Sequence, residues 1–180
     1  MKPIEIIAQV IGIIAMLFNI ISYQGKKQRT VIMLQLFGST FFCINYLLLG
    51  ATVGGLLNII SAVRAIVFIF ADKFKAQKIH WFIGFIASYF TVYVLSFTVF
   101  GKEPTPVNLI IELLPVIGML SLNIGYRLKN SANIRKFGLI SSPAWLTYNI
   151  VVQSWGAIIC EVITMGSIFI GMLRHDKKFK

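Results

Sequence analysis

The sequence predicts an all-α integral membrane protein: seven transmembrane helices, arranged as two parallel three-helix repeats joined by a linker helix. Three observations predict it. Hydrophobic residues make up 57% of the 180 and charged residues only 13%, more apolar surface than a soluble domain can hide. The apolar residues fall in seven runs separated by short hydrophilic gaps. Finally, polar residues inside those runs recur at a constant spacing of 103 positions.

The runs are 4–23, 31–50, 54–71, 80–100, 107–126, 136–152 and 155–173, each near the 17–25 residues that a tilted helix needs. The first follows Met1-Lys-Pro and is read as a retained helix, because Lys26, Lys27 and Arg29 follow it without a small-residue cleavage site. The second contains Cys43, Asn45 and Tyr46. Gly54-Gly55 opens the third as helix-end geometry, and Arg64 lies within it. The fourth carries Tyr89 and Tyr93 on one face, read as packing residues. Glu112 and Pro115 mark the fifth, Pro143 the sixth and Glu161 the seventh. Cys43 and Cys160 sit in apolar runs without a C-x-x-C motif or a His cluster, so they read as packing residues; neither a metal nor a cofactor is expected.

Net charge is +11, which in a soluble protein would suggest nucleic acid. Here the charge lies in the gaps and reads as a topology signal with anionic-lipid contacts. Lys26, Lys27, Arg29, Lys73, Lys75, Lys78, Arg127, Lys129, Arg135, Lys136, Arg174, Lys177, Lys178 and Lys180 fall on one face; Lys2 and Lys102 fall on the other. The first face is therefore expected to be cytoplasmic, with the N-terminus outside and the C-terminus inside. Trp81 and Trp155 fit the two interfacial aromatic belts.

At the 103-residue offset Gln9 meets Glu112, Gly12 meets Pro115, Tyr23 meets Tyr126 and Ser39 meets Ser142. Phe42 meets Trp145, Asn58 meets Glu161 and Ser61 meets Thr164. Leucine matching isoleucine would be cheap, but polar residues at equivalent depths are not. The expected units are residues 1–73, a linker at 74–103, and residues 104–180. Three spans plus a linker span leave the second copy oriented like the first, about an axis along the membrane normal.

Polar residues inside a membrane are costly and mark functional sites. The substrate-binding candidates are Glu112, Glu161, Asn58, Arg64, Trp145 and Asn149. Gln9, Asn58, Glu112 and Glu161 are expected at one depth, and Asn123 near the helix face of Glu112. Arg64 is expected to pair with Glu112 or Glu161. The remaining acid would then be protonated or hold a cation or substrate amine, which makes it a proton-coupling candidate; a purely architectural neutral group is the alternative. Gly12 and Pro115, the matched helix interruptions, are hinge candidates, with a static kink as the alternative.

The run Glu112-Leu-Leu-Pro-Val-Ile-Gly118, Trp145 with Asn149, the Gly156-to-Glu161 spacing and Ser61-Ala-Val-Arg64 together resemble the YgjV-type bacterial inner-membrane protein family. The resemblance covers most of the chain. It implies a seven-helix protein of the inner (plasma) membrane, related to the PQ-loop/SWEET (MtN3-like) group, with a SWEET-like 3+1+3 arrangement. Two departures stand out. Tyr23-Gln24 occupies the place of a Pro-Gln dipeptide after the first span, and Asn58 and Glu161 stand where sugar carriers have paired asparagines. The second departure argues against a neutral sugar.

No catalytic motif occurs: no H-E-x-x-H, no G-x-S-x-G, no P-loop. The expected function is transport of a small polar solute by alternating access, with proton coupling through a spare acid, and not an enzyme. The expected partners are the lipid bilayer and that solute, without nucleic acid. The alternative is a non-transporting membrane receptor or partner-binding subunit.

Overall fold

A computed structural model describes residues 3–151 and 155–176, with Trp155 described in its backbone only. Lys2, Lys177, Lys178 and Lys180 of the charge count, and the side chain of Trp155, lie outside the described residues. Eight helices make up the described chain: α1 (Pro3–Ser22), α2 (Gln28–Leu48), α3 (Thr52–Ile69), α4 (Ala71–Phe74), α5 (Ile79–Thr98), α6 (Pro106–Arg127), α7 (Ser131–Val151) and α8 (Trp155–His175). No strand occurs among the described residues.

Seven of these helices correspond to the seven apolar runs, and the single turn α4 is an addition. Six are both long and apolar enough to cross a membrane: α1, α2, α3, α5, α6 and α8. The expected sixth span, now α7, is 21 residues long but too polar to qualify on apolarity. Its polar residues face inward: Arg135, Ser141, Ser142, Tyr148 and Asn149 are buried, whereas Leu139, Ile140, Ile150 and Val151 are exposed. A composition average cannot separate those two faces.

Local chemistry sets the helix ends. The α2–α3 turn closes on Gly50 at φ +74°, with Ala51 N–H donating to Tyr46 O at 2.8 Å and Gly50 N–H to Leu47 O at 3.1 Å. That is the left-handed helix stop that glycine adopts without steric cost. Thr105 caps α6, its hydroxyl accepting from Asn108 N–H at 3.2 Å. Pro106 follows at the first helical position, where its missing N–H costs nothing. Pro115 lies inside α6, which nonetheless runs unbroken to Arg127.

Helix packing runs α1–α2–α3–α6–α7–α8 and back from α8 to α1. α2 and α7 also touch each other, and α5 packs against α3 and α6. Buried polar residues share the interior with an apolar core, and the outer surface of the helices is apolar. Ile6, Ile7, Val10, Ile13, Leu17 and Ile21 of α1 are each about half exposed, a face suited to acyl chains. Arg64, Glu112, Asn123, Arg135 and Asn149 are all within 1% of complete burial. In hydrocarbon every polar group must find its partner inside the protein, so where these residues point decides what the interior can do.

Candidate functional site

Six helices meet around an internal cavity, α1, α2, α3, α6, α7 and α8. The space open to the centre of a water-sized solute is ≈ 70 Å³, room for about five to seven waters. Twelve of its eighteen lining residues form six pairs 103 positions apart: Asn19 with Leu122, Tyr23 with Tyr126, Ser39 with Ser142, Phe42 with Trp145, Asn58 with Glu161, and Ser61 with Thr164. A further pair at the same offset bonds directly, Tyr46 OH donating to Asn149 Oδ1 at 3.2 Å. Residues 103 positions apart therefore line one cavity together.

Glu161 enters it from α8 beside the Ser142 hydroxyl. Among the described residues it is the only carboxylate lining the cavity, and no lysine, arginine or histidine nitrogen lies within 4.0 Å of it. Asn58 lines the same space and donates to Gly54 O at 2.9 Å. Trp145 forms part of the wall, stacked on Tyr46 with ring centroids 6.5 Å apart and edge-on to Tyr148 at 5.9 Å. Its position depends on Gly118: a Cβ there would lie 2.7 Å from Trp145 Cδ1 and Nε1.

Arg64 is completely buried, and its partners are not the expected ones. It donates to Tyr89 OH at 3.0 Å, to Met119 O at 2.9 Å and to Ser61 Oγ at 3.1 Å. Its guanidinium carbon sits 4.7 Å from the centre of the Tyr126 ring. Ser61 Oγ also accepts from Ser39 Oγ at 3.1 Å. The expected pairing with Glu112 or Glu161 is corrected: neutral acceptors from α3, α5 and α6 hold the cation instead. Tyr89 likewise does more than pack, since it ties the linker helix to the cavity wall.

Glu112 does not line the cavity. It pairs with Lys102, which reaches back from the α5–α6 loop and is about one-third exposed while Glu112 is buried. The expected level of four polar residues thus divides: Asn58 and Glu161 face the cavity, while Glu112 closes a loop over the helix end. Gln9 lies near Gly156 of α8. Asn149 is engaged with Tyr46 rather than lining the cavity. Gly12 has a packing reason, because a Cβ there would lie 2.9 Å from Asn45 Nδ2, which donates to Ala8 O at 2.7 Å.

The end carrying the basic loops holds a cluster that sequence reasoning missed. Arg135 and Asp176 form an ion pair in which both side chains are buried. Arg135 also donates to Gly25 O at 3.1 Å and, at 3.4 Å, to Tyr23 O. Around it, Gln24 Nε2 donates to Ser167 O at 2.7 Å, Gln28 Nε2 to Tyr126 O at 2.7 Å, and Ser131 Oγ to Lys26 O at 3.0 Å. Apart from the ion pair itself, these bonds join residues before 30 to residues after 120. At the opposite end, Tyr46 and Asn149 bond across the halves. In the sequence, Arg135 looked like one of many surface cations, so nothing marked it.

The family model described as Imp-YgjV, bacterial inner membrane protein, matches residues 6–178. The chain belongs to this family. It is a multi-pass protein of the bacterial inner membrane, as the family and its apolar helices indicate. No curated protein and no solved structure matches it. The match covers the cavity helices and the Arg135–Asp176 cluster alike, so the whole site lies within the family's boundaries.

Proposed function

We propose that this protein is a carrier for a small polar solute, working by alternating access about its central cavity. The observation that carries the reading is the cavity lining: two thirds of its residues are pairs offset by 103 positions. Two halves related by an axis along the membrane normal put equivalent polar residues around one central space. On this reading α7 is the seventh span, and the units 1–73, 74–103 and 104–180 form a 3+1+3 arrangement of the PQ-loop/SWEET kind. The basic end is cytoplasmic, with the N-terminus outside.

Glu161, Asn58, Arg64 and Trp145 contact the solute, and Glu161 is the group assigned to proton coupling. Asn149 and Tyr46 close the cavity at one end, and Glu112 secures the loop beside it. Bending at Gly12 and Pro115 lets the first helix of each half move. The closures support the same mechanism: a dense polar network seals the basic end, and Tyr46 with Asn149 joins the halves near the other.

Uptake into proteoliposomes, measured over a metabolite panel at two pH values, tests this. Accumulation of at least one solute by the wild type, reduced at least tenfold by Glu161→Gln, is expected. A folded wild type that moves no solute at either pH contradicts the carrier assignment.

A further inference from the structure

The cavity has two chemically different poles. At one, the Glu161 carboxylate stands with Asn58 and without a cation within 4.0 Å among the described residues. At the other, two lining side chains carry buried N–H groups without an acceptor: Arg64 Nε and Gln35 Nε2. Arg64 is 0% exposed and Gln35 4%. Asn123, between the lining residues Leu122 and Tyr126 in sequence, has neither amide atom partnered. Buried donors left unpaired are costly, and each such group in a native fold calls for an explanation.

The existing bonds account for this pole's geometry but not its surplus. Arg64 is held by Tyr89, Met119 O and Ser61, and Gln35 accepts from Tyr126 OH through its oxygen. What remains is a cation with no carboxylate and two N–H groups with no acceptor. An oxyanion is the partner that supplies both needs, and arginine with amide donors is the usual means of holding a carboxylate. An ammonium group is the corresponding partner for Glu161.

Resting on the carrier reading, we infer that the solute is a small zwitterion, its carboxylate held at Arg64 and Gln35 and its amine at Glu161. Sign balance favours this over a singly charged solute. The cavity already contains one positive and one negative group, so a zwitterion leaves the site neutral and uses both. A lone cation or anion in low dielectric leaves one of them uncompensated. Helix geometry separates the poles: Arg64 follows Asn58 by six residues, roughly 9 Å along the helix, and Glu161 is the offset partner of Asn58.

Binding to the purified full-length protein in detergent tests the assignment independently of transport. The probes are the ω-amino acids glycine, β-alanine, 4-aminobutanoate and 5-aminopentanoate, with butanoate and butylamine as single-charge controls. At about 100 times its Kd, at least one zwitterion is expected to raise Tm by roughly 5–11 °C, and each control to bind at least tenfold more weakly. Glu161→Gln is expected to weaken that zwitterion at least tenfold. Gln35→Leu, which keeps the amine pole, is expected to weaken the zwitterion while leaving residual butylamine binding unchanged. The inference is overturned if no zwitterion binds the folded wild type, if butylamine binds as tightly, or if Glu161→Gln has no effect. Uptake of a solute of another class, with no zwitterion bound, would remove this substrate class and leave the carrier reading standing; absence of both binding and uptake would remove both.

Discussion

Asp176→Asn probes the closure at the basic end. Arg135 is 1% exposed and Asp176 7%, so the substitution leaves a buried guanidinium without its counter-ion. Breaking such a pair from one side costs about 3–5 kcal/mol. Arg135 keeps its bonds to Gly25 O, Tyr23 O and Ser131 Oγ, which places the expected loss at the low end, about 3 kcal/mol. On a chain of this length that corresponds to a Tm lower by roughly 6–12 °C. Thermal unfolding of the purified protein measures it, alongside a variant in which both charges are removed. The pair Arg135→Met with Asp176→Leu removes both charges and should be clearly more stable than Asp176→Asn alone, since replacing a buried pair by apolar groups is often neutral. If Asp176→Asn costs under about 1 kcal/mol, the value of a solvated surface pair, or the double variant is no better, the closure does not rest on this ion pair.

Other expectations follow from the same geometry. Gly118→Ala puts a Cβ 2.7 Å from the Trp145 ring, and should cost about 1–3 kcal/mol by overpacking while weakening solute binding. Gly84→Ala, where no atom lies within 4 Å of the added carbon, should leave both unchanged; equal effects in a stability assay would remove the packing argument. Lys102→Met strands the buried Glu112 carboxylate and should destabilise more than Glu112→Gln, which neutralises it; the reverse order of Tm values contradicts the pairing. Arg64→Met should not be rescued by adding Glu161→Gln or Glu112→Gln, since neutral groups hold the arginine; partial recovery in either double variant would restore a carboxylate partner.

Much of the fold was legible because its signals are local. Apolar runs bounded by basic gaps located seven long helices within a few residues of their observed ends, with α7 beginning earlier, at Ser131, than its apolar stretch suggested. Six pairs at the offset of 103 do line the cavity together, but Gln9 with Glu112 and Gly12 with Pro115, matched at the same offset, do not. Pairings were not legible. Arg64 to Tyr89 and Met119, Lys102 to Glu112, and Arg135 to Asp176 depend on how helices pack across the bundle, and no periodicity encodes that. Counting charges favoured an acid for Arg64, yet a tyrosine, a serine and a backbone carbonyl were nearer. Arg135 and Lys102 were both expected in loops; Arg135 lies within α7, Lys102 in the α5–α6 loop, and each binds a carboxylate.

Alternating access itself is tested most directly by the accessibility of Thr164, which lines the cavity beside Glu161. In a Cys43→Ser, Cys160→Ala background, Thr164→Cys can be challenged with a membrane-impermeant thiol reagent from each face of sealed vesicles. Labelling from either face is expected, with solute shifting the ratio between them and slower labelling from the basic face. Labelling from one face alone, unchanged by any transported solute, would contradict it.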